Sequence, residues 1–227
     1  MKLGGEVLEG LFESATWRAY RGEELMPFSE IKKLIGPNSI DVTLGNTFLL
    51  PVMSKAGIIN LGCQEVDPRD PKTLEWDSVT ADEIVLYPGG FMLGAVRERF
   101  ICEALISIDG GEAARDIMTM RIGGGPQPGS RVTRAAVFAP MYEGRSSCGR
   151  LGLASHITAG FGDYGFSGAF TLELYNHLQR PIKLYAGMRI GQVAFEEVCG
   201  PKRYAGAYSG TNHNAGPVPP KLGPDRF

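Results

Sequence analysis

The stretch HITAGFGDYGFSGAFTLELYN, residues 156–176, joins a glycine-punctuated turn to a strand. In its second half Phe170, Leu172 and Leu174 fall on one face, and Thr171, Glu173 and Tyr175 on the other. That period-two alternation predicts a half-buried strand. Glu173 is its only charge, so it stands on a solvated face, the usual case, or in a pocket where desolvation favours its protonated form. Upstream, GFGDYGFSG sets Asp163 in a glycine-bounded turn. Taken alone this is an ordinary Asx turn, although its carboxylate could also accept a hydrogen bond from a sugar hydroxyl.

Outward from this strand the same grammar continues. SIDVTLGNTFLLP (39–51), EIVLYPGGFMLGAV (83–96) and IKLYAGMRIGQVAF (182–195) are the other firm strand candidates. With 31 Gly and 15 Pro, long helices have little room, and short strands bounded by turns predict a β-sandwich or barrel-like core. Helical spacing of Val7, Leu8, Leu11 and Phe12 predicts a helix within 6–20, and FSEIKKLIG (28–36) offers Ser29 as an N-cap. Residues 106–139 hold a glycine-proline knot at 123–129, read as a turn or mobile loop. The tail from Gly200 is rich in Gly and Pro, with Tyr204, Tyr208, Asn212 and His213 interspersed.

Composition bounds the function. A chain of 227 residues, 43% of them hydrophobic, fits one large domain, and no composition break divides it. A net charge of −2 argues against a surface built to hold a nucleic-acid polymer. Cys63, Cys102, Cys148 and Cys199 form no C-x-x-C pair, so free thiols in a reducing cytoplasm are expected. MKLGGEVLEG has no apolar signal region and no stretch reaches the ~18 apolar residues of a membrane span, so a soluble, unexported protein is expected.

The densest polar cluster is EGRSSCGRLGL, residues 143–153. Its GRSS offers a planar guanidinium fork, two hydroxyls and main-chain N–H groups within four residues, the donors a phosphate needs. A bare G-R-S-S is more often a polar turn. Placed at the edge of a strand, however, it would form a phosphate cradle.

Taken together and in order, NSIDVTLG (38–45), GRSSCGRLGL (144–153), HITAGFGDYGFSGAFTLELYN (156–176) and YAGMRIGQVAFEEV (185–198) resemble the dCTP deaminase family of the dUTPase-like group. The resemblance is closest from Glu143 to Val198, and the interval from Arg150 to Glu173 is the one that the family carries. It implies a mainly β, dUTPase-like distorted barrel or jelly roll, with a few short helices near the N-terminus. The domain would run over 1–227, with an insertion within 106–139 and a flexible tail at 200–227. The resemblance further implies a cytoplasmic homotrimer with active sites between chains, acting on dCTP. dUTP is a related ligand and dTTP a candidate inhibitor.

Residue by residue, the resemblance implies that Arg145, Ser146 and Ser147 contact the triphosphate or help order the catalytic water. Arg150 would orient Glu173, the general base and acid. The main chain at Ala159 would recognise cytosine and water, Asp163 the deoxyribose hydroxyl, and Phe166 would pack against the sugar. Tyr204 and Tyr208 are the aromatic candidates in the tail. A magnesium ion would ride on the phosphates. One carboxylate can shuttle the protons of such a deamination if a water is fixed beside it. The zinc deaminases use H-x-E and P-C-x-x-C instead. Here His156 is followed by Ile157 and Thr158 and no two cysteines are close, so no zinc is expected.

The sequence also departs from the family. The lysine-tyrosine pair of the closing tail is matched only by Ala207-Tyr208, with Thr211, Asn212 and His213 where a glutamine is expected. Lys202 or Arg203 could substitute in gripping phosphate. Gly162 stands before Asp163 where a bulkier aliphatic residue is common. Residues 106–139 are longer than expected, which is most simply a surface hairpin. The leading expectation is a deaminase releasing dUTP and ammonia. Behind it stand a bifunctional enzyme giving dUMP and pyrophosphate, a dUTPase, and a non-catalytic nucleotide-binding protein.

Overall fold

The structure, a computed structural model, describes residues 2–15, 17–52, 75–101, 106–110, 132–158, 160–166, 168–199, 204 and 217. In chain order the elements are α1 (Gly5–Glu13), β1 (Arg18–Arg21), β2 (Glu24–Leu25), α2 (Phe28–Ile31), β3 (Ile40–Thr43), β4 (Thr47–Val52), β5 (Glu75–Thr80), β6 (Glu83–Leu86) and β7 (Phe91–Ala95). They continue as β8 (Glu98–Ile101), β9 (Ile106–Gly110), β10 (Val132–Gly144), α3 (Ser146–Arg150), β11 (Leu153–Ala154), β12 (Thr171–Asn176), β13 (Ile182–Tyr185) and β14 (Arg189–Val198). The fold is mainly β, as expected.

The strands form sheets in the orders β2-β1-β8, β3-β14-β10-β9, β11-β12-β7-β4-β5 and β13-β6. The predicted strand stretches are present but divided. In 83–96 the chain turns at Gly89 (φ 67°), and β6 pairs with β13 while β7 pairs with β12. In 182–195 it turns at Gly187 (φ 80°) between β13 and β14. Each apolar run therefore serves two sheets. The flanks of the 106–139 stretch, β9 and β10, pair antiparallel from Ile106↔Ala136 to Gly110↔Val132. The knot at 123–129 lies outside the described residues.

The helices differ more from expectation. α1 buries Leu8, Leu11 and Phe12 but ends at Glu13, because Ala15 takes a left-handed conformation (φ 56°) that turns the chain into β1. The expected helix over 6–20 is thus a helix and a strand. In α2 the N-cap is Pro27, and Ser29 lies one residue inside, without a capping role. No helix among the described residues is long and apolar enough to cross a membrane.

The core is built from the inward faces of these sheets. Leu172 and Leu174 of β12 and Ile190, Val193 and Phe195 of β14 are fully buried. Trp17 packs on Phe195 with ring centroids 4.8 Å apart, and Phe12 and Phe138 meet it edge-on. One carboxylate is buried with them. Glu98 accepts hydrogen bonds from the Thr43 N–H and hydroxyl, each at 2.7 Å, and lies 3.5 Å from Arg21 Nη2. That network ties β1, β3 and β8 together and fixes the end of β3.

Candidate active site

Glu173 is placed by strand register. On β12 it lies opposite Leu93 of β7, and its neighbour Tyr175 opposite Ala154 of β11. Alternation turns its side chain away from the buried Leu172 and Leu174, as expected. Its Oε2 accepts the N–H of Ile157 at 2.6 Å and that of Thr158 at 2.9 Å. Oε1 has no hydrogen-bond partner among the described residues. A carboxylate held at one oxygen by main-chain donors keeps its orientation while the other oxygen can meet a water.

The loop supplying those donors is itself strapped to β10. Tyr142 N–H donates to Gly160 O at 2.6 Å, Gly162 N–H to Pro140 O at 2.9 Å, and Met141 bridges Phe161. From below, the Tyr142 hydroxyl donates to Ser155 Oγ at 2.9 Å. Burial holds the Tyr142 phenol well above its usual range, so it stays a donor. His156 packs edge-on against Tyr142, 5.5 Å between ring centroids.

Glycine 162 has a structural reason. A Cβ there would lie 2.9 Å from both Pro140 Cγ and Pro140 O and 3.0 Å from Phe170 Cζ. The bulkier residue common in the family has no room in this packing. Beyond it, Phe166 N–H donates to Asp163 O at 3.0 Å and Gly165 takes a positive φ of 81°, closing the expected turn with Asp163 exposed. Phe166 packs on Phe170 (5.5 Å between centroids) and, from the other side, meets Tyr204 at 6.3 Å. Tyr204 N–H also donates to Tyr164 O at 2.8 Å, so Tyr204 meets the Asp163 turn. Phe100, Phe138, Pro140, Phe166 and Phe170 line an apolar recess beside this turn.

The GRSS segment differs from its expected form. It is no strand edge: β10 ends at Gly144, Arg145 is extended (φ −77°, ψ 128°), and the N–H groups of Cys148 and Gly149 return to Arg145 O to form α3. Cys148 faces inward, which pushes its thiol above the usual range, and Ser146, Ser147 and Arg150 are exposed. Arg145 is half-buried with Nη1 3.3 Å from Asp41 Oδ2. Within one chain Arg150 makes no ion pair with Glu173 among the described residues. The partner of Glu173 that sequence reasoning missed is main chain, for which no side-chain signal exists. It also gave no role to Asp41 or Arg189, both inside quoted motifs. Ala159, Tyr208, Lys202 and Arg203 lie outside the described residues. Among the described residues no three His, Cys, Asp or Glu side chains are grouped as metal ligands.

A family model described as dCTP deaminase-like matches residues 131–198, the span from β10 through β14. A protein of Coprothermobacter proteolyticus named dCTP deaminase, dUMP-forming, is 34% identical over 181 residues, 78% of this chain and 75% of its own. The chain belongs to the dCTP deaminase family. Family relatives of the same name occur in Methanosphaerula palustris (35% identical, covering 71% of this chain and 67% of the relative) and Mycolicibacterium gilvum (33%, covering 87% and 86%). Among solved structures, the 2′-deoxycytidine 5′-triphosphate deaminase of Agrobacterium tumefaciens superposes with a TM-score of 0.52 at 16% identity, over 87% of this chain. The likeness is one of fold, and the chain spans 48% of that protein's length. Three of the four motifs that carried the resemblance, at 144–153, 156–176 and 185–198, thus lie in the segment that the dCTP deaminase model matches, and NSIDVTLG (38–45) lies outside it.

Proposed function

We propose that the chain converts dCTP and two waters into dUMP, ammonia and pyrophosphate, in the metabolism of pyrimidine deoxynucleotides in the cytoplasm. The observation that carries this reading is the Glu173 carboxylate, held through Oε2 by the Ile157 and Thr158 N–H groups. In the deamination, Glu173 takes a proton from water as its oxygen bonds to cytosine C4 and passes it to the ring nitrogen, then takes the proton of the new C4 hydroxyl and passes it to the amino group. The C4–N bond then breaks and ammonia leaves. In the second step, water bonds to the α-phosphorus and the bond to the bridging oxygen breaks, releasing pyrophosphate.

Arg145, Ser146 and Ser147 receive the triphosphate, Asp163 the deoxyribose hydroxyl, and Phe166 packs beneath the sugar. The triphosphate brings its magnesium ion with it. The carboxylate at the phosphate end, Asp41, is already matched by arginines, so this donor set suits an anion and not a bare cation. Arg150 reaches Glu173 from a neighbouring chain of a homotrimer. Two features support that arrangement: Ser146, Ser147 and Arg150 are exposed, and the apolar Ile157 and Phe161 are 56% and 62% exposed beside the loop that holds Glu173.

The sequence put release of dUTP first. The names of the curated relatives support the bifunctional reading over it. Incubation with dCTP and magnesium, following ammonia, dUTP, dUMP and pyrophosphate together, tests this. Ammonia and pyrophosphate should rise in equal amounts with dUMP. Ammonia with accumulating dUTP would make it a simple deaminase, and cleavage of dUTP without ammonia from dCTP a dUTPase. No turnover of either would leave a nucleotide-binding protein.

A further inference from the structure

Asp41 of β3 is shared by two arginines. Its Oδ2 lies 2.9 Å from Arg189 Nη1 and 3.3 Å from Arg145 Nη1. Arg189 also donates through Nη2 to Lys33 O at 3.2 Å. The carboxylate is 18% exposed, whereas Arg145 and Arg189 are 35% and 46% exposed, so the acid sits beneath two cations that face solvent.

The spacing of the pair is set by the sheet. β14 runs between β3 and β10, with Gln192 opposite both Asp41 and Glu143, and Arg145 N–H donates to Ile190 O at 3.3 Å. Arg189 opens β14 and Arg145 follows the last residue of β10. Neither arginine reaches Asp41 from a long loop. One negative charge against two positive ones leaves a local surplus of one. Two like charges held near one oxygen repel each other, and an arriving anion with several oxygens relieves that repulsion. Each guanidinium carries five donors in a fixed fork, and a single carboxylate oxygen engages one of them on each arginine.

We propose that Arg189 is a second phosphate-binding residue and that Asp41 is a positioning residue holding it alongside Arg145. The two guanidinium groups then clamp the polyphosphate of the nucleotide. This rests on the reading of a deoxynucleoside triphosphate as substrate. The exposed hydroxyls of Ser146 and Ser147, next in the chain after Arg145, lie at the same end.

The test measures equilibrium binding of dCTP, dCMP and inorganic tripolyphosphate to the full chain and to its Arg189→Ala, Arg189→Lys and Asp41→Asn variants. Melting temperatures establish that each variant is folded. Arg189→Ala should weaken dCTP and tripolyphosphate at least tenfold and dCMP less than threefold, with part of the loss recovered in Arg189→Lys. Asp41→Asn should raise KM for dCTP several-fold with kcat within twofold, since it displaces the clamp and leaves the reacting carbon alone. Wild-type dCTP affinity in Arg189→Ala would overturn the clamp and leave the substrate reading standing. Arg189-dependent binding of tripolyphosphate without dCTP binding in the wild type would keep the clamp and overturn the substrate reading. Failure of the wild type to bind either would overturn both.

Discussion

Glu173 Oε2 lies 2.6 Å from the main-chain nitrogen of Ile157, so among the described residues the side chain proposed to carry protons is oriented by backbone. Reach therefore matters as much as acidity. Glu173→Asp keeps an ionisable carboxyl but shortens the side chain by one methylene, and it loses the Ile157 and Thr158 N–H contacts. Ammonia release should fall by about 100-fold, the scale for misplacing a catalytic group by about 1 Å. A rate within a few fold of wild type would show that the amide clamp is dispensable.

Gly162→Ala tests the packing under the Asp163 turn. The added methyl meets Pro140 and Phe170 at about van der Waals overlap, and overpacking of this kind costs about 1–3 kcal/mol. Gly149→Ala is the control: a Cβ there meets nothing within 4 Å, and alanine in α3 should be neutral or slightly stabilising. Thermal unfolding should separate the two variants by several degrees. Equal melting temperatures would mean that the turn shifts freely.

Tyr142 and Cys148 predict the alkaline limb of stability. Burial raises both groups above their ordinary values. Stability that depends on their neutral forms is complete below their unfolded values, about 10 for tyrosine and about 8.5 for cysteine, and is lost as pH rises through the folded ones. Tyr142→Phe removes the tyrosine share, so urea midpoints should fall less steeply above about pH 10. At neutral pH it should cost about 1 kcal/mol, because Ser155 Oγ loses its partner. An unchanged alkaline slope would contradict this.

Glu98→Ala removes a carboxylate whose side chain is fully buried and strands the Thr43 N–H and hydroxyl, while Arg21 keeps its ion pair with Glu30 at 2.9 Å. Breaking a buried pair costs several kcal/mol. About 3 kcal/mol is expected here, the low end of the range, because Arg21 is one-third exposed and keeps Glu30 as a partner. Urea unfolding measures it, and a loss below about 1 kcal/mol would mean that water replaces the network.

How much of this was legible in the sequence depended on how local the cause was. The two faces of β12 read directly, because alternation at Leu172, Glu173 and Leu174 is a property of adjacent residues. The end of α1 did not: apolar spacing continues to Trp17, which is buried as the lead-in to β1, and a single left-handed residue, Ala15, makes the difference. Sheet membership was equally hidden, since β6 pairs with the distant β13, Leu86 opposite Ile182 and Glu83 opposite Tyr185. In the site, Glu173 and Asp163 could be named from motifs. The contact between Asp41 and Arg189 joins residues 148 positions apart, and the crowding at Gly162 comes from Pro140 and Phe170, so only the folded chain displays them.

The most direct test of the account compares ammonia release from dCTP by the wild type and by Glu173→Gln, with dCTP binding measured on the same preparations. The amide keeps an oxygen for the Ile157 and Thr158 N–H groups but cannot carry protons, so ammonia release should fall by a factor of about 10²–10⁴ while affinity stays within a few fold. Undiminished ammonia release by that variant would contradict the central role of Glu173.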